Sequence, residues 1–140
     1  MTSKFAGQQY ELNIVHYLRV SIDKDDVGNV ISLGWMPEGA NVIRGGVHVQ
    51  TAFVTGAKTL DIGFRNAPGG ESDDPNAYAT ILTLAAVGVI ATDEMTATTA
   101  IDLTLGAEIT CSPVSVSASA GAAVVWVEYI VDNDGDVTGA

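Results

Sequence analysis

The chain has 140 residues, a net charge of −11 and one cysteine. At this length we expect one domain that buries about 70% of the surface exposed by the unfolded chain. No Lys or Arg follows Arg65, so the basic clusters that bind phosphates are missing, and we expect neither nucleic acid nor an anionic membrane as a partner. The lone Cys111 excludes an internal disulfide and a cysteine-based zinc site, and we expect it in the core.

The N-terminus lacks the apolar stretch of a signal peptide, and the longest apolar run, ILTLAAVGVIA, is too short to span a bilayer. We therefore expect synthesis and use without passage through the secretory route. Ala, Gly, Val, Thr and Ser dominate while Lys, Arg and Glu are scarce, a balance that favours short strands joined by tight turns over a helical bundle.

Strict alternation of apolar and polar residues over residues 11–22 predicts a first strand with one buried face. The inward set is Leu12, Ile14, His16, Leu18, Val20 and Ile22. The string DKDDVGN then turns the chain, and NVISLGW predicts a second strand that MPEGAN stops, since Pro37 cannot donate to a ladder and Gly39 can take a positive φ.

The stretch from Val42 to Phe53 predicts a third, long strand with two unlike faces. We expect one face to pack on the core, formed by Ile43, Gly45, Val47, Val49, Thr51 and Phe53. The adjacent Gly45 and Gly46 indicate a bulge, a bend or the close approach of another backbone. The string TGAKTLDIGF adds a turn and a strand with Leu60, Ile62 and Phe64 inward.

After the polar loop RNAPGGESDD, Asp74 and Pro75 read as the N-cap and first position of a short helix, in which apolar residues recur at helical spacing until Gly88. Those residues are Tyr78, Ile81, Leu82 and Ala85. Strands follow at TAIDLTL, AEITCSP, VSVSASA and AAVVWVEYIV. The chain is thus predicted to be all-β, an antiparallel β-sandwich or jelly roll of about seven to eight strands with one short helix.

No internal repeat appears, and we expect a single sandwich domain over residues 10–131. It is flanked by an N-terminal arm, residues 1–9, and a flexible acidic tail, residues 132–140.

Reactive groups are sparse. His16 lies on the inward side of the first strand, where we expect a hydrogen-bonded core residue, and His48 lies on the outward side of the third. The sequence leaves a Ser-His-Asp arrangement open, because its members meet only in space, but no nucleophile-elbow motif supports one. We expect no enzyme activity and no cofactor.

Two acidic strings, DKDDVGN and DNDGD, have the alternate carboxylates of calcium loops. The first places Val27 and Gly34 where an EF-hand needs oxygen ligands, and the second ends before a bidentate Glu. We interpret them as a turn and a tail.

The interface candidates are Trp35, Met36, Arg44, His48 and Trp126. Trp35, beside the Pro-Gly turn, either closes one end of the core or projects as an anchor, since Trp and Met are enriched at interfaces. Trp126 lies opposite the apolar face of the last strand, where Val125, Val127, Tyr129 and Val131 alternate. Both faces of that strand should be covered, and a second subunit could supply the outer cover.

Several short motifs between residues 30 and 131 resemble the head decoration, or auxiliary capsid, proteins of tailed bacteriophages. In that group a P-x-G-a-x-V turn and strand is followed by V-x-T-A-F, then L-x-I-G, and the chain closes on V-x-V-E-Y. The matching residues here are Pro37, Gly39 and Val42, then Val49, Thr51, Ala52 and Phe53, then Leu60, Ile62 and Gly63, and finally Val125, Val127, Glu128 and Tyr129.

This resemblance implies a jelly-roll or β-sandwich virion protein, often a homotrimer, that is made in the host cytoplasm, binds the major capsid protein on the capsid exterior and stabilises the shell. It carries over no catalytic residue. The alternatives are a tail, baseplate or head-fibre base component, and, from another class, a carbohydrate-binding or adhesion sandwich with an exposed aromatic platform.

Overall fold

A computed structural model describes residues 15–55, 58–65, 73–93, 102–103, 106–114 and 118–131. The strands in chain order are β1 (His16–Asp23), β2 (Ile31–Met36), β3 (Ala40–Val54), β4 (Thr59–Arg65), β5 (Asp74–Thr83), β6 (Gly88–Ala91), β7 (Asp102–Leu103), β8 (Ala107–Val114) and β9 (Ala120–Val131). The predicted arm and tail, and the first residues of the predicted domain, lie outside the described residues.

The strands form two antiparallel sheets. Sheet I has the order β1-β9-β3-β6, with β7 also paired to β3, and sheet II has the order β2-β8-β4-β5. Within the described residues no segment is α-helical, and no helix is long and apolar enough to cross a membrane. The prediction of an all-β antiparallel sandwich is confirmed.

The core lies between the two sheets and is built from the inward residues of every long strand. Its largest fully buried side chains are Tyr78, Phe53, Met36, Leu60, Ile62, Leu84, Ile109, Val47, Val49, Val125 and Val127. The predicted inward residues of β4 and β9 are confirmed, and β1 alternates as predicted, with Ile22 buried and Tyr17 exposed.

A single 3-10 turn, Lys24–Asp26, joins β1 to β2. The Asp23 carboxylate accepts a hydrogen bond from the Asp25 backbone nitrogen, and the Asp26 carboxylate accepts one from the Asp23 backbone nitrogen. This capping box gives the predicted turn a defined shape.

The prediction for β3 is wrong at three residues: Ile43 and Thr51, which were expected inward, and Val42, which the same alternation places outward. Ile43 is 39% exposed and Thr51 is also exposed, because irregularities in the pairing with β9 fall between Val42 and Arg44 and between Val49 and Thr51. An inserted residue reverses the alternation of a strand, so Val42 faces the core before the first bulge.

The predicted short helix after Asp74 is wrong, because this segment forms β5. Tyr78 and Leu82 are buried, and a spacing of four residues fits a strand as well as a helix. Ile81 is the discriminating residue: it is 65% exposed, has a φ of 58°, and its backbone nitrogen donates to the Asp61 carboxylate of β4. Pro75 is accommodated because β5 is an edge strand.

Candidate functional site

The outer face of sheet I carries the largest group of predicted interface residues. The cross-strand register places Arg19 opposite Trp126, and Trp126 opposite Gly46. The neighbouring row joins Tyr17, Glu128 and Arg44. Since side chains alternate along strands, these residues all project away from the core.

Gly46 lets Trp126 extend across this face. A Cβ atom on Gly46 would lie 3.0 Å from Cη2 of Trp126 and would clash with the backbone oxygen of Ile90. A Cβ on Gly45 would lie 2.5 Å from the backbone oxygen of Trp126. The glycine pair therefore marks close backbone approach, with a bulge immediately before it, as the sequence predicts.

The indole forms part of an open depression of about 450 Å³, which is called the aromatic depression below. Its lining comes from four strands: Tyr17, Arg19, His48, Gln50, Val89, Val124 and Trp126. This shallow surface combines aromatic rings with a guanidinium, an imidazole and a carboxamide. Such a mixture suits a partner that has both apolar and polar groups.

The charges on this face are arranged unevenly. Arg44 donates from Nε to the Glu128 carboxylate across β3 and β9, and the pair is largely exposed on the Arg44 side. Arg19, by contrast, makes no ion pair with any residue that the structure describes. The aromatic depression therefore contains a guanidinium that is available to an anion.

Sheet II has a different outer face. Arg65 donates from Nε to Glu108 at 2.6 Å, and this hydrogen bond is the main cause that raises the pKa of Arg65. Trp35 pairs with Glu108 on the other side and is 58% exposed. Trp35 thus projects from the surface and does not close the core.

The remaining chemically notable residues are buried or half-buried. Met36 is 2% exposed and packs in the core, so it offers little surface for contact. His16 is half-buried and stacks on Tyr129, with ring centroids 5.4 Å apart. Cys111 is fully buried, as predicted, and burial raises the pKa of its thiol to about 12, with a smaller contribution from Asp26.

The structure brings Arg44, His48 and Trp126 together on one face and places Trp35 on the other sheet. Sequence reasoning missed Tyr17 and Arg19, although both occupy outward positions of the alternating first strand. Their meeting with Trp126 depends on the pairing of β1 with β9, which a local pattern does not contain.

Among the described residues, no group of three His, Cys, Asp or Glu side chains is placed to hold a metal ion.

No family model matches the chain, and no curated protein matches it. Solved structures do match. A chain of the acidic stable capsid structure of Helicobacter pylori bacteriophage KHP30 aligns with a TM-score of 0.63 at 15% identity, over 84% of this chain and 88% of that one. A chain of the capsid of Ralstonia phage GP4 aligns with a TM-score of 0.61 at 23% identity, over 86% of both chains.

A third match is a chain of the cyanophage Pam1 capsid asymmetric unit, with a TM-score of 0.61 at 15% identity over 94% of this chain and 93% of that one. High coverage of both partners means that chains of similar length are matched nearly from end to end. The fold is therefore one that occurs in phage capsids, and the resemblance to capsid-related proteins is confirmed at the level of fold.

Proposed function

We propose that this protein is a head decoration protein of a tailed bacteriophage. It is a non-enzymatic homo-oligomer, a trimer, that binds the major capsid protein on the exterior of the shell and reinforces it. The observation that carries the proposal is the near end-to-end match to chains of three phage capsid structures.

The charge distribution supports a position outside the shell. A net charge of −11, with no Lys or Arg after residue 65, repels packaged DNA and keeps particles apart in solution. Reinforcement by such a subunit depends on symmetry. Many weak contacts repeated around a shell bind cooperatively, so that each contact needs little affinity of its own.

The test uses particles of the phage whose genome encodes this chain. Quantitative mass spectrometry of purified virions should find the protein in fixed stoichiometry with the major capsid protein. Particles that lack it should bind the purified protein to saturation and lose less DNA on heating once it is bound, whereas shells saturated beforehand should bind no more. A copy number far below that of the shell subunit would instead assign the protein to the tail, the baseplate or a head-fibre base.

The aromatic depression favours a second candidate, the carbohydrate-binding sandwich. Tyr17 is 62% exposed and Trp126 lines the same surface, so aromatic rings are available to stack on a sugar. Glycan-array binding that is lost in Trp126→Ala and kept in Trp35→Ala would support this candidate, while binding to bare shells would support decoration.

A further inference from the structure

The aromatic depression is surrounded by exposed apolar side chains. Tyr17 on β1 and Val89 on β6 are 62% and 66% exposed, and Val124 and Trp126 between them are half-buried. All four belong to the outer face of sheet I, which no other layer of the described chain covers. A contiguous exposed patch of this kind, with a polar rim, is typical of a protein interface.

Charge restricts what can occupy this patch. Arg44, Arg65 and Lys24 each have a carboxylate partner within the chain, but Arg19 at the aromatic depression has none among the described residues. The occupant should therefore supply a carboxylate. Two copies of a chain with a net charge of −11 repel each other at long range, so a contact between copies needs such a local cation.

The same chain contains a segment with the complementary chemistry, the acidic turn at residues 23–30. Its capping box holds a fixed shape, and the side chain of Asp25 is 79% exposed. The ion pair of Asp25 with Lys24 is exposed and 3.4 Å long, which makes it a weak competitor. Val30, at the end of the turn, is 50% exposed, so the turn presents a carboxylate and an apolar group together.

A chain cannot place its own acidic turn in its own aromatic depression. Arg19 lies within β1, which is extended from His16 to Asp23, and the acidic turn begins where this strand ends. Four residues of extended strand separate Arg19 from Asp23 by about 13 Å, which is beyond the reach of either side chain. The contact must form between copies.

We propose that the aromatic depression of one copy receives the acidic turn of a second copy, with Arg19 binding Asp25 and Tyr17 and Trp126 packing against Val30. Each copy gives one turn and receives one, so the contact can repeat from copy to copy around a closed ring, as the trimer of the proposed function requires. The inference rests on the homo-oligomer of the proposed function. Its test uses pure protein in solution and the other test uses particles, so either can fail alone.

The first experiment measures the mass of the assembled protein in solution, by light scattering and sedimentation over a range of protein concentrations. Arg19→Glu should weaken assembly on the order of tenfold, and Asp25→Arg should do the same. Lys58→Glu and Glu38→Arg are the matched controls, because they change the net charge equally at residues away from the contact, and both should assemble like the unmodified protein. The double variant Arg19→Glu with Asp25→Arg should regain assembly, since the pair is restored with reversed charges.

The second experiment uses crosslinking. One protein carries Gln50→Cys and a second carries Asn29→Cys, at an exposed residue of the acidic turn that leaves Asp25 in place, and the two are mixed under mild oxidation. A disulfide between them should form, whereas Lys58→Cys mixed with Asn29→Cys should give none. The buried Cys111 does not interfere, because a thiol with a pKa of about 12 has almost no thiolate at neutral pH.

Three results would overturn the inference: an unmodified protein that stays monomeric at every concentration, an Arg19→Glu variant that assembles like Lys58→Glu, or a double variant that fails to recover while circular dichroism shows it folded. If Arg19→Glu instead lost only its binding to shells or to glycans, the depression would belong to that partner and not to a second copy.

Discussion

The outer faces of the two sheets differ in what covers them. On sheet II, the backbone at the start of β5 lies against Gly63, where a Cβ would clash with the backbone oxygen of Asp74 and the carbonyl carbon of Pro75. Thr110, opposite Gly63, is only 1% exposed. On sheet I, Gly46 lies against the backbone of the edge strand β6 at Ile90, and it also leaves room for the side chain of Trp126 to lie across β3.

The two sheets of this sandwich therefore use glycine for different purposes. At Gly63 the missing side chain admits the chain's own backbone, which closes part of the outer face. At Gly46 the missing side chain admits the short edge strand β6 and also makes room for Trp126, and the surface that Trp126 lines with Arg19 and His48 stays open. The face that the chain covers itself contributes stability, and the face it leaves open is available for recognition.

We expect the largest loss of stability from a substitution in the covered outer face of sheet II. Gly63→Ala places a methyl group against three backbone atoms of Asp74 and Pro75, so β5 must move away from β4. We expect a loss of about 3 kcal/mol in the free energy of unfolding, measured by urea denaturation. Gly28→Ala is the control: no atom lies within 4 Å of its Cβ, and its positive φ alone should cost about 1 kcal/mol. Equal losses in the two variants would contradict the packing role of Gly63.

A glycine-to-alanine substitution on the open outer face of sheet I should cost less stability. Gly46→Ala meets the backbone of β6 and the Trp126 ring, but β6 is an edge strand of four residues that can shift. We expect a loss of about 2 kcal/mol. The tryptophan fluorescence of this variant should also change because the indole is displaced, and Trp126→Phe identifies the signal as that of Trp126. An unchanged spectrum would mean that the indole does not rest on Gly46.

The two cross-strand ion pairs, one on each sheet, should also differ in how much they stabilise the fold. Arg65→Ala on sheet II removes a partner of Glu108, whose side chain is only 12% exposed, and should lower the free energy of unfolding by about 1–2 kcal/mol. Arg44→Ala on sheet I removes a guanidinium that is 71% exposed, and the loss should stay below about 1 kcal/mol and fall further in high salt. Thermal unfolding of both variants at two salt concentrations measures the two losses. A larger loss of stability in Arg44→Ala than in Arg65→Ala would contradict this comparison.

The last effect is absent at neutral pH, grows only above the pKa of an unfolded thiol, and reports on the inner face of sheet II. Burial raises the pKa of Cys111 to about 12, while the thiol of an unfolded chain has a pKa of about 8.5. Between these values the unfolded chain releases the proton and the folded chain keeps it, so stability falls as pH rises. The slope due to this group should approach about 1.4 kcal/mol per pH unit, and it should be absent from Cys111→Ala. The same slope in both proteins would show that the thiol is not the cause.

The sequence predicted the parts of the fold that depend on local alternation. The strands β1, β4 and β9 carry regular patterns, and their inward residues were predicted correctly. The errors lie where alternation is interrupted by a partner distant in sequence. The bulges of β3 arise against β9, and Ile81 takes its unusual backbone because Asp61, twenty residues earlier, accepts its N–H.

The candidate site was predictable to a similar extent. Arg44, His48 and Trp126 could be chosen because outward positions on predicted strands are visible in the sequence. Their grouping with Tyr17 and Arg19 could not, since it follows from the strand order β1-β9-β3. Met36 was misjudged as a surface candidate because the irregular pairing of β2 between Ser32 and Gly34 changes which residues face inward.

The pairing of the first described strand with the last has a practical consequence for protein engineering. His16 lies opposite Tyr129, so the described fold starts and finishes side by side at one end of sheet I, while the acidic turn lies at the other end. A fluorophore or peptide tag fused before β1 or after β9 would emerge from the same end. The molecule could therefore serve as a one-sided display scaffold, with cargo at one pole and the opposite pole left unobstructed.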